Sequence, residues 1–177
     1  MKIITVLAMH GQPPKDFPQT DLLDYFKLHF GIEAMGENAP PPMRQKYELL
    51  ENKMRNWPRT PENDPYHAGS YDLAQALQNQ LGLPVYVGFN EFCAPTLEAI
   101  MEQAASEDPE KIIIITPMMT CGGEHSERDI PLAIESVKAK FPTIEFSYLW
   151  PFDVSEIAKF LSTQMKKKFS FQKFEKH

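Results

Sequence analysis

Four short runs rich in β-branched and aromatic residues, KIITVLAM (2–9), LPVYVGFN (83–90), KIIIITPM (111–118) and IEFSYLW (144–150), constrain this chain more than anything else in it. None shows the apolar–polar alternation of a strand with one wet face, so each is predicted to be a strand buried on both sides. Such strands belong to parallel sheets sandwiched between helices. Helical periods lie between and after them: Leu97, Ile100, Met101 and Ala104; Ile130, Ile134, Val137 and Phe141; Val154, Ile157, Ala158 and Leu161. Each stripe is expected to pack on the sheet. Pro95 with Thr96 fits the first turn of one helix and Pro131 the first turn of the next, where a missing N–H costs least. The predicted order is β, a long insertion, then β-α-β-α-β-α, an α/β fold.

The segment between the first two strands, residues 11–82, is much longer than one crossover helix requires. TDLLDYFKLHF (20–30), PPPMRQKYELLENKMRNW (40–57) and GSYDLAQALQNQLG (69–82) read as helices, the last stopped by Gly82. GENAPPP and PRTPENDPYHAG separate them as stiff loops that hold many of the 16 prolines. With no internal repeat, the whole of 1–177 is expected to be one domain, in which 11–82 forms a helical lid or cleft wall.

The composition narrows the class of function. A net charge of −6 offers no basic footprint for nucleic acid. No apolar run reaches the ~20 residues of a membrane helix, and MKIITVLAMHG, flanked by a single Lys2 and without a small-residue cleavage site, reads as a first strand rather than a signal peptide. Cys93 and Cys121 are too few for a disulfide framework, which points to free thiols and a cytoplasmic setting. CGGEH (121–125) lacks dinucleotide-fingerprint spacing and there is no phosphate loop, so no organic cofactor is expected. A serine elbow for hydrolysis is missing too.

Ligands of open parallel sheets sit at the carboxyl ends of the strands. Strand one ends at His10, strand two at Glu91, and strand three reaches His125 through the hinge-like Gly122–Gly123 pair. Two imidazoles and a carboxylate from three strand ends can hold one borderline divalent ion, or take up protons near neutral pH. Glu91 has a plainer alternative as the cap of the helix near Pro95. Met118, Met119, Phe89 and Phe92 are core or the apolar floor of a pocket. His29, within a helix, and His67, in a loop, read as incidental.

VGFNEFCAPTLEAI followed by KIIIITPMMTCGGEHSERDIPLAI, with LAMHG at the first strand, resembles the class II tetrapyrrole chelatases of the CbiX-type sirohydrochlorin cobaltochelatase family. The insertion's end, YHAGSYDLAQALQNQLGLPVYVGF, is similar to the corresponding stretch of protohaem ferrochelatases. The resemblance implies a four-stranded parallel sheet flanked by helices, half of a full chelatase, that pairs as a homodimer. It also implies that His10, Glu91 and His125 handle a divalent metal substrate, Co²⁺, Fe²⁺ or Ni²⁺, and catalyse its insertion into sirohydrochlorin or a related ring. Gln12, Pro13 and Pro14 stand where the family carries serine and arginine after the first histidine-glycine.

An anionic ring wants cations at the rim, for which Lys15, Arg44, Arg55 and Arg128 are the candidates. Two other functions fit the same residues. One is a non-catalytic metal or tetrapyrrole carrier. The other is a metal-dependent hydrolase, in which Glu124 would be the general base. The terminal MKKKFSFQKFEKH reads as the basic end of the last helix, with a dimer or membrane-surface contact as alternatives.

Overall fold

The computed structural model describes residues 1–169. A four-stranded parallel sheet forms its centre, with β1 Ile3–Met9, β2 Val85–Phe89, β3 Lys111–Ile115 and β4 Glu145–Tyr148 in the spatial order β2-β1-β3-β4. Between β1 and β2 run helices α1 Gln19–Met35, α2 Pro41–Arg55 and α3 Pro65–Leu81, and α4 Leu97–Ser106, α5 Ile130–Lys138 and α6 Val154–Lys168 follow. Among the described residues no helix is long and apolar enough to cross a membrane.

Strand pleating sends alternate side chains to opposite faces, and the two faces build two cores. Ile4, Val6 and Ala8 of β1, with Ile112 and Ile114 of β3, pack against α4 and α5. Leu7 and Met9 with Val85, Val87 and Phe89 pack under the helices that follow β1, against Tyr25, Met54 and Ala74. Burial of side chains of this size contributes ~1.5–3 kcal/mol each. The run of four isoleucines is therefore divided between two environments: Ile112 and Ile114 are fully buried, Ile113 and Ile115 only partly.

Several local expectations are corrected. PRTPENDPYHAG is not all loop, because Asp64 caps α3 by accepting the His67 N–H at 2.9 Å and Pro65 opens the helix. His67 consequently sits in the first turn of a helix, stacked on Phe89 with centroids 5.3 Å apart. Pro95 lies before α4 rather than in its first turn; Thr96 is the cap and its side chain accepts the Ala99 N–H. The predicted stripe of α6 does not pack on the sheet: α6 has no buried residue, and Val154, Phe160, Leu161 and Met165 are exposed. Periodicity defines that apolar face but not what lies opposite it. Lys166, Lys167 and Lys168 occupy the last turn of α6, while the rest of the predicted tail, 170–177, lies outside the described residues.

Candidate functional site

Sheet register places two of the expected residues side by side. Met9 pairs with Phe89 at the end of the β1–β2 ladder, and the ladder continues past the strands: the Asn90 N–H donates to Met9 O at 2.9 Å and the Glu91 N–H to His10 O at 2.8 Å. Gly11 then makes this closeness possible. Its φ is +96°, and a Cβ there would lie 1.9 Å from the Glu91 carbonyl oxygen. Only a residue without a side chain allows the two strand ends to touch.

Two arginines clamp the β2 end from below. Arg55 of α2 donates to Asn90 O at 3.0 Å and Cys93 O at 3.1 Å, and pairs with Glu51. Arg59 donates to Gln12 O at 2.7 Å, Met54 O at 2.8 Å and Phe92 O, and forms an ion pair with Asp64 at 2.5 Å whose side chains are 7% and 1% exposed. Thr96, not Glu91, caps α4, which leaves the Glu91 carboxylate free to face His10.

His125 arrives from β3. After the buried Thr116, residues 117–124 loop out and the chain enters a π-helical turn, His125–Asp129, that runs into α5. Four bonds hold the turn in place: Ser126 Oγ and the Glu127 N–H both donate to Gly123 O at 3.0 Å, the Gly122 N–H donates to Glu127 at 2.6 Å, and the Tyr148 hydroxyl of β4 to Ser126 O at 3.0 Å. Such single π turns are frequent at functional sites.

The three expected residues come together. Ligating atoms of His10, Glu91 and His125 all lie within 4.8 Å of one another. His10 Nε2 is 3.8 Å from Glu91 Oε2, and the two imidazoles meet edge to face at 4.4 Å between centroids. Their side chains are 37% (His10), 27% (Glu91) and 25% (His125) exposed, so the cluster opens to solvent on one side. Donors holding one first-row ion at ~2.0–2.2 Å sit about 3.4 Å apart in a tetrahedral arrangement. Here the His10–Glu91 pair stands at 3.8 Å and the whole set within 4.8 Å, somewhat wider than that spacing.

Each imidazole has its other nitrogen engaged. His10 Nδ1 lies 2.7 Å from Gly11 O, and a carbonyl only accepts, so the proton is on Nδ1 and Nε2 carries the lone pair. His125 Nδ1 lies 2.7 Å from Asp129 Oδ2 in the same sense. Asp129 was not singled out in the sequence, although an aspartate four residues after a histidine at a helix start shares its face. Tyr66 was missed as well; its hydroxyl accepts the His10 N–H at 3.3 Å, and burial pushes its phenol pKa above the usual tyrosine value.

The remaining candidates separate clearly. Phe92, 8% exposed and at φ +59°, lies 6.0 Å from the His10 ring and forms a wall of the site. Tyr25 and Phe26 of α1 continue that wall at 5.9 and 6.2 Å from Phe92. Phe89 is fully buried core, Met118 packs against the α4–α5 side, and Met119 shares a small apolar hollow with Phe152, Ile157 and Phe160.

Among the rim cations, Arg44 is committed to the carbonyls of Gly36 and Ala39 in the α1–α2 connection, and Arg55 to those of Asn90 and Cys93 next to Glu91. Arg128 pairs with Glu124 at 2.6 Å on the surface, which occupies the glutamate considered as a general base. Lys15 is exposed, and its ammonium reaches Glu62 O. Cys93 is buried, and desolvation raises its thiol pKa; Cys121 is exposed. His29 approaches Tyr47 at 3.4 Å within the α1–α2 pair.

Comparison with known proteins adds a second kind of observation. The CbiX family profile matches residues 62–167. A sirohydrochlorin ferrochelatase of Priestia megaterium is 31% identical over 80 residues, which is 45% of this chain and 30% of that protein. A sirohydrochlorin cobaltochelatase of Methanopyrus kandleri is 40% identical over 47 residues, 27% of this chain and 32% of that protein. The matched stretches thus span about a third of those relatives. A crystal structure of the sirohydrochlorin chelatase SirB from Bacillus subtilis subspecies spizizenii, in complex with cobalt, aligns with 94% of this chain and 51% of its own, at 17% identity and a TM-score of 0.47.

Proposed function

Because this chain belongs to the CbiX family, we propose that it is a tetrapyrrole chelatase that inserts Co²⁺, Fe²⁺ or Ni²⁺ into sirohydrochlorin or a related ring. The observation that carries this reading is the His10–Glu91–His125 cluster, three metal-ligating side chains within 4.8 Å at the carboxyl end of the sheet. In this reading the three residues are both the metal-handling and the catalytic set.

Insertion exchanges two pyrrole N–H protons for one divalent ion, and the protein has to hold that ion without keeping it. Two neutral imidazoles presenting Nε2 and one carboxylate bind first-row ions, yet leave coordination positions for four ring nitrogens. As the ion passes to the ring, Nε2 of each histidine and the Glu91 carboxylate are freed, and these are the groups that accept the two pyrrole protons. The partly exposed cluster gives the ring open access to the ion, and buried Phe92, 6.0 Å from the His10 ring, backs it with apolar packing.

On this reading residues 11–82 supply the cleft wall, supported by Tyr25 and Phe26 packing beside Phe92. A homodimer is part of the same proposal; the exposed apolar side of α6 is a surface that pairing would cover. The free thiols Cys93 and Cys121 suit a reducing cytoplasm.

The test is the absorbance change of sirohydrochlorin mixed with each metal, with and without the protein. Acceleration over buffer is expected, and His10→Ala or His125→Ala should remove most of it while far-UV circular dichroism stays unchanged. Tight ring binding without acceleration would replace the chelatase with a carrier.

A further inference from the structure

The two imidazoles are alike in residue type and unlike in what stands behind them. His10 Nδ1 faces a neutral carbonyl, Gly11 O, whereas His125 Nδ1 faces the carboxylate of Asp129 at 2.7 Å. Among the described residues the Asp129 carboxylate makes no hydrogen bond or ion pair besides that with His125. Asp129 lies at the junction of the π turn and α5, where a capping role is expected, but its carboxylate accepts no helix N–H. The turn that carries it is tied down independently, by Tyr148 to Ser126 O, by Ser126 to Gly123 O and by Glu127 to the Gly122 N–H. A carboxylate behind an imidazole fixes the Nδ1–H tautomer, aims the Nε2 lone pair and strengthens it as a donor, through a charge that a carbonyl lacks.

From this asymmetry we infer that Asp129 is a positioning residue: it locks His125 in the Nδ1–H form with Nε2 turned into the cluster, and makes His125 the stronger of the two nitrogen donors. The inference rests on reading the cluster as the metal-handling site. The division of work follows from it. His125 takes the larger share of holding the incoming ion, and His10, supported only by a peptide dipole, releases first.

The test compares the intact chain with Asp129→Ala and Asp129→Asn. Long-range ¹H–¹⁵N NMR at about pH 8, where an ordinary imidazole is neutral, reads the tautomer of each histidine. Titration with Co²⁺ alone, followed by visible absorbance, reads affinity. In the intact chain His125 should be the Nδ1–H tautomer. In Asp129→Ala it should drift to the Nε2–H form while His10 does not change, and Co²⁺ should bind about 10–100-fold more weakly. The asparagine oxygen accepts the same Nδ1–H, so Asp129→Asn should recover part of both effects.

An unchanged His125 tautomer and Co²⁺ affinity in Asp129→Ala would overturn the inference. So would a simultaneous shift of His10 and His125, which would mean that the loop had collapsed. If the tautomer and affinity respond as expected but the intact protein does not accelerate metal insertion, the chelatase reading falls and the role of Asp129 stands.

Discussion

Gly11→Ala isolates the contact that sets the His10–Glu91 geometry. At φ +96° an alanine pays ~1 kcal/mol or more simply for its backbone. The steric term is larger. The new Cβ would lie 1.9 Å from Glu91 O, whereas real Cβ contacts essentially never fall below 3.0 Å, so one strand end must retreat by about 1.1 Å. The retreating atoms are backbone, and they carry the Glu91 N–H···O His10 bond at 2.8 Å, so relaxation stretches that bond and separates the two side chains.

A displacement of about 1 Å at a reacting centre can cost ~10²-fold in rate, and a strained strand end of this kind should cost about 2–4 kcal/mol of stability. Gly82→Ala is the control. Gly82 also has positive φ, +66°, at the C-terminus of α3, but a Cβ there meets nothing within 4 Å, so it should cost only ~1 kcal/mol and leave the site intact. Urea denaturation and Co²⁺ titration on both variants read the two effects. Equal stability loss in the two, with unchanged Co²⁺ affinity in Gly11→Ala, would refute the argument that Gly11 couples the strand ends.

Three further outcomes follow from the same structure. Arg59→Ala strands the Asp64 carboxylate, 1% exposed, and removes donors to Gln12, Met54 and Phe92; a loss of about 3–5 kcal/mol in chemical denaturation is expected. Thr96→Ala removes the cap of α4 and should cost about 1 kcal/mol by the same measurement, with metal binding preserved. His67, stacked on Phe89, has its pKa lowered from 6.5, chiefly by desolvation and against a smaller opposing pull from Asp64. The unfolded chain therefore binds this proton first, so the His67 contribution is intact above pH 6.5 and is lost as pH falls through 6.5 toward the lower folded value. The difference in stability between the intact chain and His67→Asn, measured from pH 7.5 down to pH 5, should narrow in that direction; a constant difference would contradict it.

Much of the fold was legible because burial on both faces writes itself into a strand as an unbroken apolar run, and KIITVLAM and KIIIITPM have no other economical reading. Helix starts were less legible. Asp64 and Thr96 are ordinary capping residues, yet the prolines beside them drew one segment into a loop and the other into a first turn, since proline marks loops and helix starts alike. The face of α6 was visible as a stripe, while its exposure was not, because a stripe records amphipathicity and not its partner. At the site, the places of His10, Glu91 and His125 at strand ends made them candidates, and the resemblance to the chelatases joined them into one set. Asp129 and Gly11 could not be given their parts in it: one depends on a rotamer, the other on how closely two strand ends approach.

The sequence by itself determined the α/β class, the parallel strands and the three residue types with the chemistry to hold a divalent ion, because periodicity and side-chain chemistry are local properties. Only the tertiary structure decided the order β2-β1-β3-β4, the approach of Gly11 to Glu91, the diversion of Arg44 and Arg55 to backbone carbonyls and the unequal backing of the two histidines. Those are distances between residues far apart in the chain, fixed by register and packing, and no local pattern encodes a distance of that kind.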